Sequence, residues 1–353
     1  MIDDRRRLAA AVETSLLCSI VVPVYNGAQV IESCLNSLLD QTVPYDCYEI
    51  VIVDDGSTDH TAVTVLAWAD DHPQIRVGLV KQAHAGPASA RNAGAQAAKA
   101  PLLLFTDADC RATPGWIEAL LKGFDAPERP AGLMGTYLSD QTTLAARFAQ
   151  LEFEDRYRRM IRTPAIDVVA TYSAAFRRDV FLAAGGFDPT FHEANNEDVE
   201  FSYRLSESGH RMNFVPEAQV YHRHASSWSG YARTKLGRGF WRTLVYRRYP
   251  GKAVKDTYTP QILKLEILLA PLIPLGVLLA FLRRSTAWLA LAGPFLLITL
   301  PFIRFAAKRD RAVAVISPWG LWLRSVAFAI GIAGGLLAGM RGQPEQSQRD
   351  LSE

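Results

Sequence analysis

Short β-branched runs alternate with helical-period segments along the first half of the chain. Cys18 to Val24 is a compact apolar run that stops at "YNG", which reads as a buried strand meeting a loop. Ile31, Cys34, Leu35, Leu38 and Leu39 then recur at i, i+3, i+4, i+7 and i+8, one face of a helix. "YEIVIVDDGSTD" predicts a second strand ending in acids, with a helix near Thr58 to Asp71 after it. "IRVGLVKQ" gives a third strand, "GPASARNAGAQAAKA" an alanine-rich helix, and "PLLLFTDAD" a fourth strand. This alternation predicts an α/β fold: a Rossmann-like, mostly parallel sheet with helices on both faces. Such sheets bind ligands at the carboxyl ends of their strands.

The rhythm loosens after Pro130. A long helix is expected around Thr142 to Ile161, a short apolar piece at Val168 to Thr171, a turn at "GGFDPTF", and a helix opened by "NNEDVEFSYRL". From about Gln261 the chain becomes long apolar stretches separated by basic clusters. Residues 262–282, 287–303 and 318–340 each approach the roughly 20 residues that cross a hydrocarbon core, so about three membrane helices are expected. Arg324 interrupts the last, close to Trp319 and Trp322, where it is expected to snorkel to an interface. The resulting division is an extension over 1–17, a globular domain over 18–230, a basic and aromatic segment over 231–260, a transmembrane region over 261–341 and a polar tail over 342–353. The segment 231–260 suits a bilayer surface, or equally a basic helix packed on the rest of the protein.

Composition sharpens this picture in a few places. Of 353 residues 49% are hydrophobic, apolar for a soluble protein, and the excess lies at the C-terminal end. The net charge is only +2, and no basic stripe with interleaved aromatics runs through the first two hundred residues, so nucleic acid is not an expected partner. Four cysteines without CxxC spacing point to packed, reduced thiols and a cytoplasmic face for the globular domain. No signal-peptide core precedes the first strand. With the loop 304–311 also inside, the positive-inside tendency is met by a multi-pass protein of the cytoplasmic (inner) membrane.

Candidate chemistry collects at three strand ends: Tyr25 and Asn26, Asp54 and Asp55, and Asp107 and Asp109. One residue of spacing in extended chain sends both carboxylates of "DAD" to one face, where they can share a divalent cation; the same pair also suits a polar turn. Glu197 and Asp198 open a helix, where acids complement the dipole whether or not they do chemistry. Arg91 is either an exposed helix arginine or fixed positive charge in a site. His222 in "VYHRH" is either structural or a ligand, with His224 the weaker candidate.

Taken in order, "SIVVPVYNG", "IVIVDDGSTD", "ASARNAG", "FTDAD", "GGFD" and "NEDVEFSYRL" resemble the family 2 glycosyltransferases of GT-A fold, over roughly Cys18 to Ala225. The resemblance implies a nucleotide-sugar donor, a UDP-sugar first, and inversion at the anomeric carbon by single displacement. It implies that Pro23, Tyr25 and Asn26 line the base pocket, that Asp55, with Asp54 as alternative, bonds the base, and that Arg91 and Asp107 contact the donor. Asp107 and Asp109 would hold Mn²⁺ or Mg²⁺ with His222 as a third ligand, and Asp198 would be the general base beside Glu197. The acceptor implied is membrane-associated or lipid-linked, in cell-envelope or exopolysaccharide synthesis. The QxxRW motif of processive synthases is absent, since the matching stretch reads "KLGRGFWR", so a single transfer is expected. A nucleotidyltransferase and a non-catalytic membrane scaffold with a retained sugar-nucleotide domain are the competing classes.

Overall fold

A computed structural model describes residues 16–191, 195–283 and 289–340. The extension and polar tail expected at 1–17 and 342–353 lie almost entirely outside these residues. The chain forms two compact units, one from the residues up to Leu138 together with Pro164–His222, the other from Ser139–Thr163 and the residues from Arg223 onward.

The first unit is built on one eight-stranded sheet. Its strands are β1 (Cys18–Val24), β2 (Tyr48–Asp54), β3 (Arg76–Lys81), β4 (Leu102–Phe105), β5 (Arg111–Ala112), β6 (Gly132–Leu138), β7 (Ala174–Arg177) and β8 (Met212–Tyr221), in the order β3-β2-β1-β4-β7-β6-β8-β5. β1 and β2 are buried nearly throughout and mostly apolar, with Ser19 and Glu49 hydrogen-bonded to each other, because both faces of a parallel sheet are covered. Parallel pairing aligns Val24 with Asp54 and Asp54 with Lys81, while β4 runs beside β1 with Phe105 opposite Val21. The carboxyl ends of four strands therefore share one edge. The mostly parallel sheet expected from the alternation holds for β1 to β4 and for β6 with β8, whereas β7 and β5 pair antiparallel with their neighbours.

Two packing features set the sheet's helices close. A Cβ at Gly94, on the helix Pro87–Ala97, would lie 2.3 Å from Val21 Cγ1, so only glycine lets that helix approach β1. Phe105, Phe176, Phe181, Phe187 and Phe201 form a buried cluster with ring centroids 4.9–6.1 Å apart, in edge-on and tilted contacts. That cluster anchors the helix Glu197–Glu207, which carries Phe201, against the end of β4.

The second unit is helical. Helix Trp228–Arg248, the core of the segment expected at a bilayer surface, buries Tyr231, Phe240, Trp241 and Val245 and packs on helix Arg311–Met340. Cβ atoms at Gly331 and Gly335 would strike Leu236 O at 2.1 Å and Thr243 Oγ1 at 2.0 Å, so the two helices meet backbone to backbone. Arg324 does not snorkel. It is buried, with Nη1 2.7 Å from Glu152 Oε1 and Nη2 bonded to Glu266, while Lys235 Nζ and Tyr231 Oη reach Glu152 Oε2 at 2.9 and 2.6 Å. The partners come from the helix Leu144–Met160 and the first apolar helix, which pattern within one segment cannot reveal. His224 is likewise internal to this unit, its Nε2 2.9 Å from Gln150 Oε1.

The last apolar helix begins at Arg311 rather than Pro318. Asp310 caps it, accepting from Val313 N at 3.1 Å, and Pro318 sits inside it. Among the described residues, Gln261–Leu282 and Arg311–Gly339 are long and apolar enough to cross a membrane, and Ala292–Ala307 is a shorter apolar helix.

Candidate active site

Each loop at the shared sheet edge is tied by the polar residues that end its strand. Asn26, in the left-handed region at φ 48°, accepts from Thr58 N at 2.8 Å and donates its own N–H to Ser57 Oγ at 2.9 Å. Asp54 accepts from Ser57 N at 2.9 Å. Gly56 has φ 77°, and a Cβ there would meet His84 N at 2.7 Å, so the turn after β2 packs directly on the turn after β3.

Asp55 is buried and surrounded by donors. Ala85 N and Gln82 Nε2 reach its Oδ1 at 2.9 and 2.6 Å, and Gly86 N and His84 Nδ1 reach its Oδ2 at 2.9 Å each. It thereby fixes the loop that leads into helix Pro87–Ala97. His84 stacks on Tyr25, ring centroids 4.0 Å apart, and Tyr25 is exposed, so the two rings form an open aromatic step; Pro23, two residues earlier on β1, is half-buried. His84 escaped the sequence reading although it follows β3 at the same carboxyl edge; the strand-end rule applied to a non-acidic residue would have found it.

Arg91, one turn into that helix, is buried, with Nη2 2.7 Å from Asp107 Oδ1 and Nη1 2.7 Å from Glu197 Oε1. One guanidinium thus joins the end of β4 to the start of helix Glu197–Glu207, which lies 106 residues beyond Arg91 itself. Burial opposes its charge, but Asp107 and Glu197 more than offset that and hold it protonated. Glu197 is itself buried, and burial pushes its carboxyl up, with Asp198 pushing the same way against the pull of Arg91. Asp198 is half-buried, and its Oδ1 accepts from Val199 N at 2.8 Å.

Asp109 stands apart from this bridge. Its Oδ2 is 3.6 Å from His222 Nδ1, and its Oδ1 is 3.8 Å from Cys110 Sγ, which is also 3.8 Å from His222 Nδ1. Burial would raise the Asp109 carboxyl, but the hydrogen bond and charge of His222 outweigh it and hold the group low. The imidazole is fixed by stacking on Tyr137, 4.4 Å between centroids, which in turn stacks on Tyr172 at 3.5 Å. One ligand atom from each of Asp109, Cys110 and His222 lies within 4.8 Å of the others, a donor set that fits a divalent ion. Asp107, by contrast, directs one oxygen to Arg91. In the sequence Cys110 reads only as a packed thiol, because nothing local shows that it faces His222.

The model for "Glycosyl transferase family 2" matches residues 19–183 and that for "Glycosyl transferase family group 2" matches residues 102–306. Validoxylamine A glucosyltransferase of Streptomyces hygroscopicus subsp. jinggangensis is 29% identical over 231 residues, 57% of this chain and 54% of that protein. Glycosyltransferase AglE of Haloferax volcanii is 28% identical over 203 residues, 56% of this chain and 64% of that protein. The chain thus spans roughly half to two thirds of the length of these relatives. A mannosyltransferase from Pyrobaculum calidifontis, solved in complex with GDP-Man and Mn²⁺, shares the fold at TM-score 0.59 and 22% identity, covering 91% of this chain and 87% of that one.

Proposed function

The chain belongs to glycosyl transferase family group 2, whose model matches more than half of it, and from that premise we propose that it is an inverting, metal-dependent glycosyltransferase. The reading is a single sugar transferred from a nucleotide-sugar donor, a UDP-sugar first, to a membrane-associated or lipid-linked acceptor. What carries it is the bridge through Arg91, which gathers the acids of two distant motifs at the carboxyl edge of one sheet. The position is the one where open α/β sheets bind ligands.

Within this reading Tyr25, with His84 stacked on it and Pro23 two residues before it, is a platform for the nucleobase. Asn26, Asp54 and Asp55 shape that pocket by holding its loops. Asp109 and His222, with Asp107 alongside, would hold Mn²⁺ or Mg²⁺, which when bound neutralises the charge of a departing nucleoside diphosphate. Arg91 is a positioning residue: its charge is committed to Asp107 and Glu197. Glu197, buried and paired, is poorly placed to take a proton from an acceptor hydroxyl. Asp198, less buried and beside it, is the general base, accepting that proton as the hydroxyl attacks.

Membrane association is part of the proposal. Leu268, Leu275, Val277, Phe281 and Leu282 are exposed on the first long apolar helix, a surface that suits lipid better than water. A catalytic unit on the cytoplasmic face of a multi-pass inner-membrane protein is the arrangement proposed. The test is to incubate the purified full chain with a panel of nucleotide sugars and Mn²⁺, with and without a membrane lipid extract, and follow nucleoside diphosphate release. Lipid-stimulated release from one donor is expected; no release and no binding of any nucleotide sugar would overturn the reading.

A further inference from the structure

The sheet register sets a thiol where a hard metal ion is expected to bind. β5 pairs antiparallel with β8 so that Arg111 faces Tyr221, which places Cys110 and His222 as the next pair outward, with Asp109 one residue beyond. We propose that Asp109, Cys110 and His222 form a three-ligand site for a thiophilic divalent cation, Zn²⁺, which binds there more tightly than Mg²⁺ or Mn²⁺. The proposal rests on the glycosyltransferase reading only in that it shares Asp109 and His222 with the expected catalytic ion.

Bond lengths of about 2.3 Å to sulfur and about 2.0–2.2 Å to nitrogen or oxygen, at tetrahedral angles, put three ligand atoms about 3.4–3.6 Å apart. The separations are 3.8 Å for Cys110 Sγ to His222 Nδ1, 3.8 Å for Cys110 Sγ to Asp109 Oδ1 and 3.6 Å for Asp109 Oδ2 to His222 Nδ1. Asp109 Oδ1 is the oxygen near Cys110 Sγ and Oδ2 the one near His222 Nδ1, so a shared ion calls for a rotation of the carboxylate that brings one oxygen toward both. Cys110 and the stacked imidazole are already held, the first buried and the second against Tyr137. Three protein ligands leave a fourth position open, and the Asp109 side chain is itself exposed to solvent. Thiolate and imidazole favour Zn²⁺, whereas Mg²⁺ requires near-octahedral oxygen. On binding, the cation replaces the thiol proton, which passes to solvent, and no oxidation state changes.

Co²⁺ serves as the spectroscopic probe of the full chain in detergent, without donor. A near-ultraviolet thiolate-to-cobalt charge-transfer band is expected, abolished by stoichiometric Zn²⁺ and not by excess Mg²⁺. Cys110→Ser should remove the band and weaken Zn²⁺ binding at least by the ~100-fold that loss of a mere supporting partner can cost, while Mn²⁺ binding, read by electron paramagnetic resonance, changes little. No band in the parent protein, or a band that survives in Cys110→Ser, overturns the site without any need for the variant to be active. Nucleotide-sugar binding measured on the same samples separates the two readings: donor binding without the band removes the zinc site alone, and the band without donor binding removes the glycosyltransferase reading alone.

Discussion

Glu197 and Asp198 are adjacent acids with different surroundings, and the difference is the ground for their separate proposed roles. Burial and the Arg91 ion pair occupy Glu197, so changing it should disturb structure, whereas Asp198 is less buried at the start of its helix. Asp198→Asn keeps size and helix start but cannot accept a proton, so transfer should fall by the ~10² to 10⁴ typical of general-base loss. Donor affinity and melting temperature should stay at parental values; near-parental transfer would take Asp198 out of the mechanism. Asp109→Asn removes the charge of a proposed metal ligand, and its expected signature is a weaker dependence of donor binding on Mn²⁺ with the fold intact, read by calorimetric titration at several metal concentrations. Donor and Mn²⁺ bound as tightly as by the parent would reduce the DAD pair to a turn. The acids were legible in the sequence as residues at a strand end and a helix start, but the common face expected of Asp107 and Asp109 was not found: the chain turns after β4 instead of running extended, so Asp107 meets Arg91 and Asp109 meets His222. Which side chain meets which was not legible: Arg91 reads in the sequence as a lone helix arginine, and only the folded sheet shows it between Asp107 and Glu197.

At the level of strands and helices, the pattern disclosed β1, β2 and β4 because those strands are buried on both faces and mostly apolar, while the edge strand β3, exposed or half-buried along its length, shows in its Val77, Leu79 and Val80 between Arg76 and Lys81. The antiparallel half was opaque for a physical reason: β5 is two residues long, β7 four, and their pairing is set by partners far along the chain. β6 shows the same dependence on distant partners. A Cβ at Gly135 would lie 2.0 Å from Ala218 O on β8 and 2.1 Å from Ser173 Oγ, where the β6–β8 register shifts. Ser173 cannot easily yield, since its hydroxyl donates to that same Ala218 carbonyl and accepts from Trp116 Nε1. Gly135→Ala should therefore cost at least the roughly 1–3 kcal/mol of ordinary overpacking and lower the melting temperature by several degrees. An unchanged melting curve would mean that the strands part there without strain.

Over the whole chain, the two units are interleaved in sequence, and the second draws its cohesion from charges that hydropathy alone misplaces. Reading along the last apolar segment put Arg324 at an interface; folding gives it Glu152 and Glu266, with Lys235 and Tyr231 closing the group. Burial would raise the Glu152 carboxyl, but Lys235 and Arg324 outweigh it and hold the group at about 2, below its ordinary 4.5. A carboxyl with a depressed folded pKa contributes stability that is fully present above the unfolded value and lost as pH falls through the folded one. Melting temperature in detergent should therefore decline as pH drops from about 4.5 toward 2, and Glu152→Gln should flatten that decline while lowering stability at neutral pH. Deleting everything after Tyr258 tests the same cohesion more severely. The cut removes Glu266 and Arg324, leaves Glu152 with Lys235 and Tyr231 only, and strips helix Trp228–Arg248 of the helix that meets it backbone to backbone at Gly331 and Gly335. Breaking a buried charge group by removing partners costs roughly 3–5 kcal/mol, comparable to the ~5–15 kcal/mol that holds an ordinary domain together. Phe240 and Trp241 would face solvent besides. The expected outcome is a truncated chain that aggregates or melts far below the full protein, and Arg324→Ala in the full chain should reproduce part of that loss. A soluble fragment ending at Tyr258 with an undiminished melting transition would show that the apolar helices are only an anchor.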